Sequence, residues 1–255
     1  MSRFKQVARC CLVLLAVLMP LPAVAASGDI SLFSLNDSET GQVLSIKLQI
    51  LIMMTLLGFL PAMLMMMTSF TRFIIVLAIL RQALGLQQSP PNQILIGIAL
   101  CLTMLVMRPV WTHIYTEAYV PFQSDQISME QGLDVAKKRI SGFMLAQTNT
   151  ASLETMVALA NEPLPQNLET LDFSLLLPAF VLSEVKAAFQ LGFMIFLPFL
   201  VIDLVVASVL MAMGMMMLSP MMISLPFKLM VFVLVDGWAL LVGTLTSSIQ
   251  PFGGG

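Results

Sequence analysis

Forty-six consecutive residues, Phe173 to Leu218, carry only three charges: Glu184, Lys186 and Asp203. A soluble domain must cover itself with polar side chains, so a run of this length belongs inside a bilayer or between subunits. Lipid offers backbone amides no partner, which restricts such a run to helices or closed barrels. At about 1.5 Å per residue, roughly twenty apolar residues cross the hydrocarbon core. The length predicts two helices in a hairpin, with Pro178 and Pro198 inside and Ser219-Pro220 closing it.

Other stretches follow the same pattern. Leu48 to Met67 has Gln49 and Thr55 as its only polar members and is interrupted by Pro61. Phe73 to Leu80 is bracketed by Arg72 and Arg81 and is too short to span alone. Gly85 and Ser89-Pro90-Pro91-Asn92 mark a turn, Ile94 to Met107 stops at Arg108-Pro109, and Leu229 to Ile249 adds one more helix carrying Asp236. Between Val110 and Asp172 the composition changes, with eight acidic residues against three basic ones, Lys137, Lys138 and Arg139. There Met129, Leu133, Ala136, Ile140, Phe143 and Gln147 recur at spacings of four and three, which predicts an amphipathic helix with Lys137 to Arg139 on its wet face. Pro163 and Pro165 end that pattern. The expected fold is all-α: helical hairpins of a membrane-associated subunit, with a polar helical insertion between two hydrophobic halves. The divisions are 1–25, 26–46, 47–109, 110–172, 173–250 and a tail at 251–255. No period of 20 to 50 residues repeats, which excludes a solenoid.

Residues 1–25 read as a secretory signal peptide: Arg3, Lys5 and Arg9, an apolar stretch from Val7 to Leu21, then Ala23-Val24-Ala25. The alternative is an uncleaved first membrane helix. Residues 26–46 then form a short exported segment. Cys10 and Cys11 leave with the signal, and Cys101 remains as a lone buried cysteine behaving as a small hydrophobe. Arg72 and Arg81, placed in the first interhelical loop, are cytoplasmic-side anchors under the positive-inside rule, which puts the polar insertion on the exported side.

The chain offers little chemistry. A net charge of −2 gives no basic field for nucleic acid. His113 is the only histidine, and no G-x-S-x-G, G-x-G-x-x-G or P-loop pattern occurs, so no catalytic residue, metal or cofactor is assigned. Two enzyme readings have weak support: Asp203 with Asp236 as an intramembrane protease pair, and Ser183 with Lys186 as a Ser-Lys pair. A proton-coupled transporter using Asp203 and Asp236 is the alternative function, although the halves lack internal symmetry. A charge at the bilayer centre costs at least about 2.5–3.5 kcal/mol. Glu184, Lys186, Asp203, Lys228 and Asp236 are therefore expected to pair with one another in structural ion pairs within or between subunits.

Methionine is the composition's anomaly, at 22 residues against 16 phenylalanines. Seven of the twelve residues from Met211 to Met222 are methionine, around Gly214 and the Ser219-Pro220 stop. Methionine is ordinary core filler, and Met65-Met66-Met67 is read that way. Clustering at one predicted bend suggests instead a soft, uncharged collar that excludes water and yields to a passing chain.

The run Asp203-Leu-Val-Val-Ala-Ser-Val-Leu-Met-Ala-Met-Gly-Met-Met-Met217, then Leu225-Pro-Phe-Lys-Leu-Met230 and Leu234-Val-Asp-Gly-Trp238, closely resembles the FliP family of flagellar type III export-gate subunits, related to the corresponding component of virulence injectisomes. Thr68 to Leu77, Arg81 to Gly85 and Ser89 to Gln93 resemble it too, and the likeness extends from about Leu48 to Leu245. The resemblance implies a pentamer of FliP copies, assembled with FliQ and FliR beside FlhB and FlhA in the basal body of the bacterial inner membrane. It would pass unfolded flagellar substrates. The resemblance further implies a channel gate at Met215, Met216 and Met217, and charged contacts at Glu184 and Lys228. It also implies that some apolar hairpins pack against subunits rather than lipid.

Overall fold

A computed structural model describes residues 41–86, 89–161, 171–215 and 218–250. The chain divides into two compact units, 1–51 and 52–255. Of the first, residues 41–51 are described and are helical; the packing below is that of the second unit. The expected signal peptide, residues 26–40 of the expected exported segment, the linker prolines 163 and 165, Met216, Met217 and the tail lie outside the described residues.

The helices are α1 (Gly41–Met66), α2 (Phe70–Ala83), α3 (Asn92–Val106), α4 (Arg108–Gln123, with a π-helical turn at Tyr115–Tyr119), α5 (Met129–Gln147), α6 (Thr150–Ala160), α7 (Phe173–Ala212), α8 (Pro220–Leu234) and α9 (Gly237–Ser247). No strand occurs among the described residues, in agreement with the all-α expectation.

Local chemistry sets the ends of the polar helices. Ser128 and Gln131 form a reciprocal capping box at the start of α5, the hydroxyl accepting from the Gln131 amide and the Gln131 side chain accepting from the Ser128 amide. Asn149 caps α6 through Oδ1, which accepts from the Ala151 amide. Gly85, at φ +78°, turns the chain after α2.

The packing centre is the contact of α2 with α7. On α2 the buried residues Phe73, Val76, Leu77 and Leu80 recur at helical spacing. The buried residues of α7 include the small Ala179, Ser183, Ala188 and Gly192. Apolar burial drives little association between helices in lipid, where close approach over small residues favours packing. A Cβ on Gly192 would come within 2.3 Å of Ile79 Cδ1. Phe143 of α5 packs edge-on against Phe180 of α7, with ring centroids 6.2 Å apart.

The outer surfaces are strongly apolar. Leu51 to Leu60 on α1 and Phe189, Phe193, Leu200, Leu204 and Val205 on α7 are exposed. Among the described residues, α7 is the one helix long and apolar enough by itself to cross a membrane. Three bent pairs, Ile50–Met66 with α2 (69°), α3 with α4 (57°) and α8 with α9 (67°), raise the count to four if each is one broken span.

Several expectations need correction. The stretch from Phe173 is one 40-residue helix, not two in a hairpin. Pro178 lies in its second turn, and Pro198 removes one amide donor without ending the helix. The hairpin partner is α8, across the methionine turn. Pro61 likewise leaves α1 continuous. The stretch from Leu229 to Ile249 is not one helix, because Asp236 adopts a left-handed conformation (φ 52°) between α8 and α9.

Arg72 and Arg81 do not lie in a loop: both are on α2, and Arg72 is buried against an acid, so its charge is neutralised inside the protein. Cys101 is exposed rather than buried. Val110, the expected first residue of the polar insertion, is fully buried in the core, and helix continues to Gln123. On α5 only the C-terminal half buries its apolar face: Met129 and Leu133 are exposed, Phe143 and Met144 buried. Arg139, expected on the wet face, is half-buried in an ion pair. In the Met65 to Met67 run, Met67 packs against the core but Met66 is half exposed.

Candidate functional site: internal ion pairs and the methionine turn

Two ion pairs, one fully buried and one with its carboxylate one-third exposed, tie the apolar helices together. Arg72, 3% exposed, donates from Nε to Glu184 Oε2 at 2.9 Å and from Nη2 to Oε1 at 2.5 Å, a bidentate fork onto a carboxylate with no exposed surface. Its Nη1 donates to the Ser248 carbonyl at 2.8 Å and to Ser248 Oγ at 3.2 Å. One guanidinium therefore joins α2, α7 and the residue just past α9.

Lys228 on α8, 2% exposed, donates to Asp203 Oδ2 on α7 at 2.6 Å and to the Ala83 carbonyl at 3.0 Å. That carbonyl is in the last turn of α2, where acceptors lack helical partners and a cation meets the negative end of the dipole. Ser224, one turn before Lys228, donates to Asp203 Oδ1 at 2.5 Å. Both carboxylate oxygens of Asp203 are therefore engaged.

Lys186 and Asp236 are not brought into the pairing expected of them. Lys186 donates to Ser152 Oγ at 3.1 Å, and Asp236 is exposed at the break between α8 and α9. Among the described residues no ion pair holds either one. Ser183 Oγ accepts from the Asn149 amide, so Ser183 and Lys186 are directed to different partners rather than joined as a Ser-Lys pair. The protease pair and the proton-coupled transporter both need Asp203 available, whereas it is bound by Lys228 and Ser224; the transporter reading is not supported.

Three partnerships escape sequence reasoning. Arg72 begins an apolar run and so looks like a loop residue, although it is the centre of a buried pair. Arg139 forks onto Glu117 at 2.6 and 2.7 Å, joining the π turn of α4 to α5, with His113 Nδ1 3.3 Å from the same carboxylate. The third is Ser224 with Lys228, whose spacing of one helical turn is the signal that could have flagged a shared acidic partner. Arg81 donates to Asn92 Oδ1 at 2.7 Å and to the Pro90 carbonyl at 3.3 Å, closing the turn between α2 and α3. Beside Arg72 an open polar cleft of about 530 Å³ is lined by Gln147, Asn149, Lys186, Ser248 and Gln250. Among the described residues no group of His, Cys, Asp or Glu is placed to hold a metal ion.

The methionine turn starts from a Schellman cap on α7. The Met215 amide donates to the Leu210 carbonyl and the Gly214 amide to the Met211 carbonyl, both at 3.0 Å, with Gly214 left-handed at φ +74°. Met211, Met213, Met215, Met221 and Met222 are exposed around this turn.

An apolar helix of membrane length with bent apolar pairs around it, internal ion pairs between them and a methionine-rich turn at the end of the longest helix define a helical membrane-protein subunit. The chain belongs to the FliP family, whose model matches residues 53–245, as the resemblance in the sequence implied. It is similar to the flagellar biosynthetic protein FliP of Pectobacterium carotovorum (56% identical, covering 82% of this chain and 81% of the relative). It is also similar to those of Bacillus subtilis (46%, covering 86% and 98%) and Caulobacter vibrioides (43%, covering 93% and 88%).

Proposed function

We propose that the chain is a pore-forming subunit of the flagellar type III protein export gate, passing unfolded flagellar substrates across the bacterial inner membrane during flagellum assembly. Membership of the FliP family over residues 53–245, with relatives named flagellar biosynthetic proteins, carries this reading. The exposed apolar faces of α1, α7 and α8 favour neighbours beyond lipid: four further copies in a pentamer, with FliQ and FliR, next to FlhB and FlhA in the basal body. The N-terminus and the polar insertion face the periplasm. The pairs Arg72–Glu184 and Lys228–Asp203 hold the helices in register, and Met215, Met216 and Met217 contribute to a thioether ring that closes the channel at rest. The subunit itself performs no catalytic step and needs no cofactor.

Two measurements test the proposal. The detergent-extracted assembly should have the mass of a closed multimer; a monodisperse monomer refutes it. Alanine at Met215, Met216 and Met217 should raise ion leakage through the reconstituted assembly while leaving its mass unchanged, and unchanged leakage refutes the gate.

A further inference from the structure

Of the five charges between Phe173 and Gln250, Glu184, Asp203 and Lys228 are held in ion pairs within the chain, which leaves Lys186 and Asp236. The two are opposite in sign and belong to opposite ends of α9. Lys186 lines the polar cleft together with Ser248, just past the end of that helix, whereas Asp236 comes immediately before its first residue. At about 1.5 Å per residue the helix puts roughly 16 Å between the cleft and Asp236. Among the described residues no ion pair holds either charge.

Their surroundings complement each other. Asp236 stands exposed at an outward corner, where α8 and α9 bend by 67° and its backbone turns left-handed, flanked by exposed Val235 and Trp238. The polar cleft, about 530 Å³, continues into an apolar groove of about 450 Å³ that reaches Leu191, Phe193 and Met194; Arg72, Ala187, Gln190 and Ser248 line both. An acid with apolar neighbours thus has its counterpart in a cation beside an apolar groove. Covering the faces of α7 and α8 with neighbouring subunits takes both charges out of water, and a charge buried without a partner is strongly disfavoured.

We propose that Asp236 of one copy docks into the Lys186 cleft of the next, its carboxylate accepting from the Lys186 ammonium while Val235 and Trp238 cover the apolar groove. Lys186 gives one proton to Ser152 Oγ and has two more to donate. The proposal rests on the multimer reading and deepens it by naming the contact between copies. Corner and cleft are different surfaces, so the contact is heterologous: each copy gives one and receives one, and such a contact generates a ring when its rotation closes.

The test uses the full-length chain extracted in detergent. Lys186→Glu and Asp236→Lys should each lower recovery of the multimer on the order of tenfold, because like charges then face each other, and the two together should restore it. Cross-linking reads the contact directly. With Cys10, Cys11 and Cys101 replaced by serine, copies carrying Lys186→Cys are assembled with differently tagged copies carrying Asp236→Cys and treated with a short bis-maleimide. A covalent dimer containing both tags is expected, and none from either variant alone. Lys137→Cys in place of Lys186→Cys should give none.

A multimer whose recovery the single reversals leave unchanged overturns the proposal, as does a double reversal no better than the single ones. Absence of the mixed dimer, or a dimer from one variant alone, overturns it too. Failure of the multimer reading itself is read separately, as a monodisperse monomer of the parent chain.

Discussion

Replacing Glu184 by alanine leaves the Arg72 guanidinium, which stays protonated at any accessible pH, 3% exposed and without its carboxylate. Two charge-assisted hydrogen bonds are lost, at 2.9 and 2.5 Å, while those to Ser248 remain. Removing one member of a buried pair costs about 3–5 kcal/mol, chiefly from the uncompensated charge left behind. In a chain of this size a loss of 1 kcal/mol lowers the midpoint by about 2–4 °C, so the drop should be roughly 6–20 °C. The assay is thermal unfolding of the full-length chain in detergent, followed by circular dichroism. Arg72→Met with Glu184→Leu removes both charges and should recover most of the loss, because an apolar replacement of the whole pair is close to neutral. If Glu184→Ala stays within about 1 kcal/mol of the parent, or the double variant is as damaged as either single one, this pair is not what holds α2 to α7.

The second pair should respond asymmetrically: Asp203→Ala strands the buried Lys228 and should cost more than Lys228→Met, which leaves Asp203 one-third open to water and bonded to Ser224. Comparing the two midpoints checks the order, and equal losses contradict it. Gly237→Ala sets a Cβ 2.3 Å from the Phe232 ring, which is itself packed between Phe199 and Trp238, and should cost about 1–3 kcal/mol in the same assay. Gly214→Ala has room for its methyl but not for its φ of +74°, so it should cost about 1–2 kcal/mol, with Gly214→Asn losing less. Limited proteolysis at the turn would report that order.

The apolar runs make the helical class legible, because every stretch of sufficient length has to become helix. The breaks are harder to read. Pro61 and Pro198 suggest ends and are accommodated within continuous helices, while Asp236 ends one by turning left-handed. A proline's missing donor can be absorbed when neighbours hold the helix, whereas the Asp236-Gly237 dipeptide is a turn signal that the apolar run around it masks. Cost alone makes Asp203 and Lys228 legible as members of a set of five charges that should pair, without saying which joins which. Arg72 is not, since its partner is 112 residues away and an arginine beside an apolar run looks the same whether it anchors at an interface or is buried. Met216 and Met217 are named from family resemblance and fall outside the described residues, whereas the cap that sets the turn at Met215 follows from Gly214.

The distance along the chain between Arg72 and its partners also bears on how the protein is made. Glu184 lies 112 residues after Arg72, and Ser248 lies 176 after it. At about 5–20 residues per second, roughly 6–22 s pass between synthesis of the cation and of its carboxylate. Throughout that interval α2 carries an open charge worth about 2.5–3.5 kcal/mol against burial at the bilayer centre. A unit of the first two helices therefore bears that cost until α7 supplies Glu184, and the contact with Ser248 can form only after α9 has been synthesised.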